Sequence, residues 1–153
     1  MKKSKIAITN PRVGKIAELA KKTNHKLLAT WGLDCAGRVL PYFESKYPKD
    51  KRPKAAIETG RDWVRTGVFS MAVIRKASLD SHAAARDVMD DDVARSAARA
   101  AGQAVAAAHV PAHALAAAAY AATVIRDSVA PSKAETAVAK ERKWQFEHLK
   151  KLN

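Results

Sequence analysis

Cysteine is almost missing from this chain: Cys35 stands alone among 153 residues. A single thiol builds no intrachain disulfide framework, so packing must hold the fold, and a reducing compartment is expected. The six glycines are scattered, which leaves no glycine-rich phosphate loop. G-x-S-x-G, C-x-x-C and paired-glutamate motifs are missing too, so the residues point to no enzyme and to no cofactor. Strand signals are nearly absent. No continuous apolar run follows the basic start from Met1 to Ile16, so no secretory signal is expected and the cytoplasm is the expected location.

Charge has its own gap. Between Arg99 and Arg126 lie 26 residues without Lys, Arg, Asp or Glu, and 14 of them are alanine. A transmembrane helix needs about 20 mostly apolar residues, so length alone would allow one here. Composition argues otherwise, because alanine contributes little transfer energy and Gly102, Gln103, His109, Pro111, His113, Tyr120 and Thr123 add polar groups and a break. The stretch reads as two helices divided at Pro111, packed so closely that only small side chains fit between their backbones.

Helix punctuation recurs along the rest. Asn10-Pro11 suggests a cap with proline at the first helical position, followed by Val13, Ile16 and Leu19 on one face. Thr23-Asn24 closes that helix and caps a second, in which Leu28, Trp31, Cys35, Val39 and Tyr42 recur at helical spacing. Pro41 should kink or interrupt it, and Tyr47-Pro48 marks its end. Pro53 opens a third helix with Ala56, Ile57, Trp63 and Val64 inward, and Gly67 stops it. Ser70 caps a fourth with Val73, Ile74 and Ala77 inward. Asp90, Asp91 and Asp92 precede an Arg- and Ala-rich helix, where carboxylates favour the positive end of its dipole. Pro131-Ser132-x-x-Glu135 reads as a capping box before a last helix ending near Lys151. The expectation is an all-α, single-domain bundle over residues 1–153 with about seven or eight helices and an alanine-rich, close-packed core. Residues 1–10 are expected to be a flexible basic N-terminus.

The net charge of +13 sits at the two ends. Residues 1–54 carry 14 basic and four acidic side chains, residues 55–131 carry eight of each, and the tail from Ser132 carries six against three. If the ends meet in space they form one electropositive region that could steer an acidic partner or a nucleic acid. On that ground the candidate partner-binding residues are Lys46, Lys49, Lys51, Arg52 and Lys54 at the basic turn, with Lys140, Lys143 and Lys150 on the final helix. A solubilising surface is the plainer reading of the same charge. The lysines and arginines around the turn, with Lys2, Lys3, Lys5, Arg12 and Lys15, could neutralise phosphates in a salt-dependent way. No helix-turn-helix signature, zinc finger or aromatic stacking platform accompanies them, and Tyr42 and Phe43 near the turn read as core.

Two further groups invite chemistry. His109 and His113 stand four apart, a metal-binding spacing on a continuous helix, but Pro111 divides them and no carboxylate or H-E-x-x-H motif lies nearby. Core or capping histidines are the simpler expectation, and no metal site is assigned. Asp34 and Cys35 are neighbours, yet adjacent residues on a helix point about 100° apart, so the carboxylate does not activate the thiol. Cys35 reads as core. Asp34 is four residues before Arg38, which suggests a pair on the helix surface; a buried Asp34 bonded to another helix is the alternative.

Several phrases taken together resemble a family of small all-helical proteins assigned as immunity proteins in bacterial polymorphic-toxin systems. They are Trp31-x-x-Asp34-Cys35-Ala36-x-x-Val39-Leu40-Pro41-x-Phe43-Glu44 and Arg52-Pro53-x-x-Ala56-Ile57-Glu58, then Ala108-His109-Val110-x-x-His113-Ala114, Tyr120-Ala121 and Glu141-Arg142-x-Trp144-Gln145. The resemblance implies a non-enzymatic protein that binds a cognate toxin in the producing cell's cytoplasm and blocks it. It carries over no functional residues. The basic charge predicts a toxin with an acidic or neutral surface, since complementary potentials select partners and raise association rates. The rival is a basic nucleic-acid-associated helical protein; a metal-dependent enzyme around His109 and His113 is a third reading. No membrane partner is expected, and the oligomeric state is left open.

Overall fold

The computed structural model describes residues 6–153, and these residues form seven helices with no strand among them. They are α1 (Lys15–Ala20), α2 (His25–Glu44), α3 (Arg52–Thr66), α4 (Met71–Asp87), α5 (Asp92–Ala106), α6 (His113–Ser128) and α7 (Pro131–Leu152). Lys2, Lys3 and Lys5 of the expected basic N-terminus lie outside the described residues, and residues 6–10 are neither helix nor strand. Among the described residues no helix is long and apolar enough to cross a membrane.

Most boundaries follow from local chemistry. The side chains of Asn24, Ser70 and Asp91 each accept a backbone N–H three residues on, from Leu27, Val73 and Ala94. Pro53 lies in the first turn of α3, and Gly67 ends that helix at φ 71°, a conformation that favours glycine.

Several expected boundaries and faces are corrected. Asn10 does not start a helix: its side chain accepts the Arg12 N–H and its carbonyl the Val13 N–H, which closes a turn. The helix begins only after Gly14, and Val13 is exposed. Pro41 does not interrupt α2, which runs on to Glu44; in the last turn a proline removes little of the helix's hydrogen bonding. Ser132 makes no capping box, because Pro131 already occupies the first helical position and Ser132 falls inside the first turn with no cap bond from a side chain. Two inward assignments also fail: Tyr42 and Val73 are exposed, while their neighbours Phe43 and Ile74 are buried.

Helix α5 is the centre of the molecule, with α2, α3, α4 and α6 all packed against it. Nine of its residues are buried, and seven of the nine are alanine or glycine. Helix interfaces ordinarily stand 8–10 Å apart, set by the side chains at the contact. Alanine faces bring them closer, which is what the uncharged stretch accomplishes. Helix α7 lies across α2 and α6, and α1 lies on α7. Buried polar groups are satisfied across these close crossings: Ser81 Oγ donates to the Ala98 carbonyl at 2.8 Å, and Ser78 Oγ to that of Gly102 at 2.9 Å.

Candidate interaction surface

Two of the resemblance phrases, Trp31 to Glu44 and Glu141 to Gln145, meet at the seam between α2 and α7. Trp31 is wholly buried and its Nε1 donates to the Gln145 carbonyl at 2.8 Å. The Gln145 side chain, also buried, donates to the Ala118 carbonyl at 3.0 Å and accepts from Arg142 at 2.7 Å, tying α7 to α6. Arg38 grips Glu141 through both carboxylate oxygens, at 3.1 and 2.8 Å. Glu141 is only 4% exposed, so this fork supplies the charge that a buried carboxylate requires. The same guanidinium lies 3.7 Å above the Trp144 ring, and Trp144 stacks on His148 at 4.7 Å.

Asp34 therefore has different partners from the one its spacing suggested. Arg38 is committed to Glu141, and Asp34 instead reaches two other helices: Arg61 of α3 at 2.9 Å and His148 of α7 at 2.7 Å. Cys35 beside it is completely buried. Burial, with the nearby charges of Glu141 and Asp34, pushes its thiol well above the usual range, so it stays neutral and packs as core. These residues hold three helices together.

The two candidate histidines also part company. His109 lies in the α5–α6 turn, its ring stacked on Phe69 with centroids 6.2 Å apart. His113 opens α6 with its Nδ1 2.8 Å from Gln103 Oε1. Burial, then the charge of His109, holds His113 below the ordinary histidine range. His82 of α4, a conceivable base for Cys35 on residue type alone, instead accepts from Arg99 at 2.9 Å. Among the described residues no group of three or more His, Cys, Asp or Glu is placed to hold a metal ion.

The eight basic candidates do not gather in one place. Lys46 is bound to Asp91 at 3.1 Å, and Arg52 spans Asp50 and Asp87 at 2.7 Å each. Lys49, Lys51 and Lys54 remain exposed, with no ion pair among the described residues. On α7, Lys140 and Lys143 are exposed, while Lys150 sits 3.6 Å from Glu147. Asn153, at the end of α7, bonds Thr23 just before α2, whereas the basic turn follows the far end of α2. A 20-residue helix is about 30 Å long, so Lys150 and the turn stand at opposite ends of the molecule.

Beside the turn lies a feature the charge count concealed, an acidic cleft of about 580 Å³ between Lys46 and the α4–α5 loop. Its carboxylates are mostly committed: Asp87 to Arg52, Asp91 to Lys46 and Tyr47, Asp92 to Arg95 and Asp127 to Arg126. Burial works against ionising Asp91, but the Ala94 N–H, Lys46 and Tyr47 outweigh it and hold the carboxyl below its usual range. The basic turn is thus edged by opposite charge that arrives from 35 to 45 residues away in sequence.

No significant similarity to a curated protein is found, and none to a solved structure. Residues 18–152, from α1 to the last turn of α7, match one family throughout, and the resemblance phrases all lie within that span. The chain belongs to the Imm-5 like putative immunity protein family.

Proposed function

We propose that this chain works by binding: it engages a cognate protein toxin in the cytoplasm of the producing cell and blocks it, with no catalysis of its own. The observation that carries this reading is the family match over residues 18–152. The distribution of reactive groups supports it. Cys35 is buried and neutral, Asp34 and His148 are joined to each other, and His82 and His113 are occupied by Arg99 and Gln103.

Within this reading Lys49, Lys51 and Lys54 steer an acidic or neutral toxin surface to the protein. Lys140, Lys143 and Lys150 belong to a separate part of the surface and add to the long-range field. Exposed lysines act mainly on the association rate and its salt dependence. Lys46 and Arg52 contribute less, because their charge is already matched by Asp91, Asp50 and Asp87.

The test is co-purification with the product of the adjacent gene at low and high salt, alongside protection of cells that express that product. A one-to-one complex that survives high salt and protects cells is the expected result. Recovery of nucleic acid alone, released by salt, would replace this reading with the basic nucleic-acid-binding one. In the complex, reversing Lys49, Lys51 and Lys54 to glutamate should slow association about tenfold or more at low salt, with dissociation little changed. Unchanged association would place the contact elsewhere.

A further inference from the structure

Six of the nine large hydrophobic side chains exposed among the described residues lie in one region. Val68 is 75% exposed and Phe69 45% in the α3–α4 turn; Met71, Val73 and Leu79 project from α4, and Val110 from the α5–α6 turn. The region is continuous. One shallow groove runs past Val68 and Val73 to Ile74, and a second runs from Ile74 past Met71 and Leu79 to His109. Phe69 closes the join by stacking on His109.

We propose that this apolar surface is where the toxin docks, taking up an apolar segment of the partner that also carries a carboxylate for Arg75. The proposal rests on the immunity reading and deepens it. Monomeric proteins rarely leave large contiguous apolar patches open, and those they leave mark interaction sites. The composition fits the core of an interface, where aromatic residues, Met and Arg are enriched and Lys and Glu are depleted.

Charge selects the occupant. Arg75 lines the second groove and is exposed, with no ion-pair partner among the described residues. The carboxylates nearby are taken: Asp62 pairs with Arg65, and Asp80 with Lys76. A second copy of this chain would bring its own Arg75 to the same face and would offer no free carboxylate there, because Asp62 and Asp80 are paired in each copy. A symmetric dimer through this patch would be self-repelling. An acidic partner meets both requirements at once.

The experiment measures binding and protection for the full chain with the adjacent-gene product, in a form made inactive for the binding assay. Phe69→Asp and Val68→Asp should each raise Kd at least about 30-fold, mainly through faster dissociation, and abolish protection. Val68 is too exposed to matter for folding, so its variant keeps the test valid if Phe69→Asp unfolds. Val13→Asp and Met89→Asp alter exposed hydrophobic residues outside the patch and should bind as the parent does. If both patch variants bind and protect like the parent, the docking proposal is overturned while the immunity reading stands. If the parent itself neither binds nor protects, both fall. Light scattering that finds a parent dimer, broken by Val68→Asp, would assign the face to a second copy and overturn the proposal.

Discussion

Gly32 and Gly37 lie on the same helix, and replacing each with alanine should move stability in opposite directions. Both are interior positions of α2, so each gains about 1 kcal/mol of helix propensity over glycine. Their surroundings differ. A Cβ on Gly37 would meet only the tip of Arg61 at 3.6 Å, an ordinary contact. A Cβ on Gly32 would stand 2.9 Å from both the Cα and the Cβ of Ala114. Carbon atoms prefer about 3.5–4.0 Å, so α2 and α6 would have to separate by roughly 0.6 Å or more where they cross. A backbone Cα cannot rotate away, and α5 packs against both helices. Overpacking of this kind costs about 1–3 kcal/mol, and an unyielding neighbour points to the upper half. Gly37→Ala should therefore stabilise by up to about 1 kcal/mol, while Gly32→Ala should destabilise by about 1–2 kcal/mol after its propensity gain is included. Because the propensity term is common to both, the gap between the variants isolates the packing term. Urea unfolding with unchanged m-values is the assay, and a gap of 2 kcal/mol corresponds to about 4–8 °C in Tm for a chain of this size. If Gly32→Ala is as stable as Gly37→Ala, the close α2–α6 approach is wrong.

Two further predictions concern buried polar groups. Gln145→Leu removes the acceptor for a largely buried Arg142 and should cost about 2 kcal/mol or more in urea unfolding; adding Arg142→Leu should recover part of that, because removing both partners leaves no orphan. Recovery absent from the double variant would mean that the pair does not act as a unit. His82 is held down to about 4 by burial and then by Arg99, with Arg86 and His113 adding to the effect. The unfolded chain takes up this proton from about pH 6.5 downwards while the native state resists it until about pH 4, so the contribution is present above pH 6.5 and is lost as pH falls between the two. The full shift would correspond to roughly 3 kcal/mol, which solvent screening of the half-exposed ring reduces to roughly 2 kcal/mol, and the difference in stability between the parent and His82→Gln should shrink by about that amount from pH 7 to pH 4. A difference that is independent of pH would show that His82 titrates normally.

Helix starts and stops were legible wherever one side chain serves the backbone a few residues away. Asn24, Ser70 and Asp91 act that way, each starting a helix where its chemistry suggests, and Gly67 stops one because it has no Cβ to crowd its left-handed backbone. The errors have local causes as well. Asn10 bonds two residues on instead of three, and Pro131 begins its helix one residue before Ser132 could cap it. Faces were harder to read. Val73 and Ile74 are both branched aliphatics, and only packing against α3 and α5 decides that Ile74 turns inward. The exposed Val68-Phe69 pair gave no periodic signal, because it lies in a turn.

The chain's own order of residues determined an all-helical fold, the division at Pro111, the alanine-lined core and the placement of Trp31, Cys35 and Val39 within it. Those outcomes depend on propensity, capping and side-chain volume, which act over a few residues. Tertiary structure alone decided the electrostatics and the surface. Asp34 takes its partners from positions 61 and 148, Arg38 from 141, and Lys46 from 91. It also set the basic turn beside an acidic cleft and brought Phe69 against His109. Coulombic and stacking contacts depend on distance in space, and separations of 27 to 114 residues in sequence carry no information about which side chains will meet.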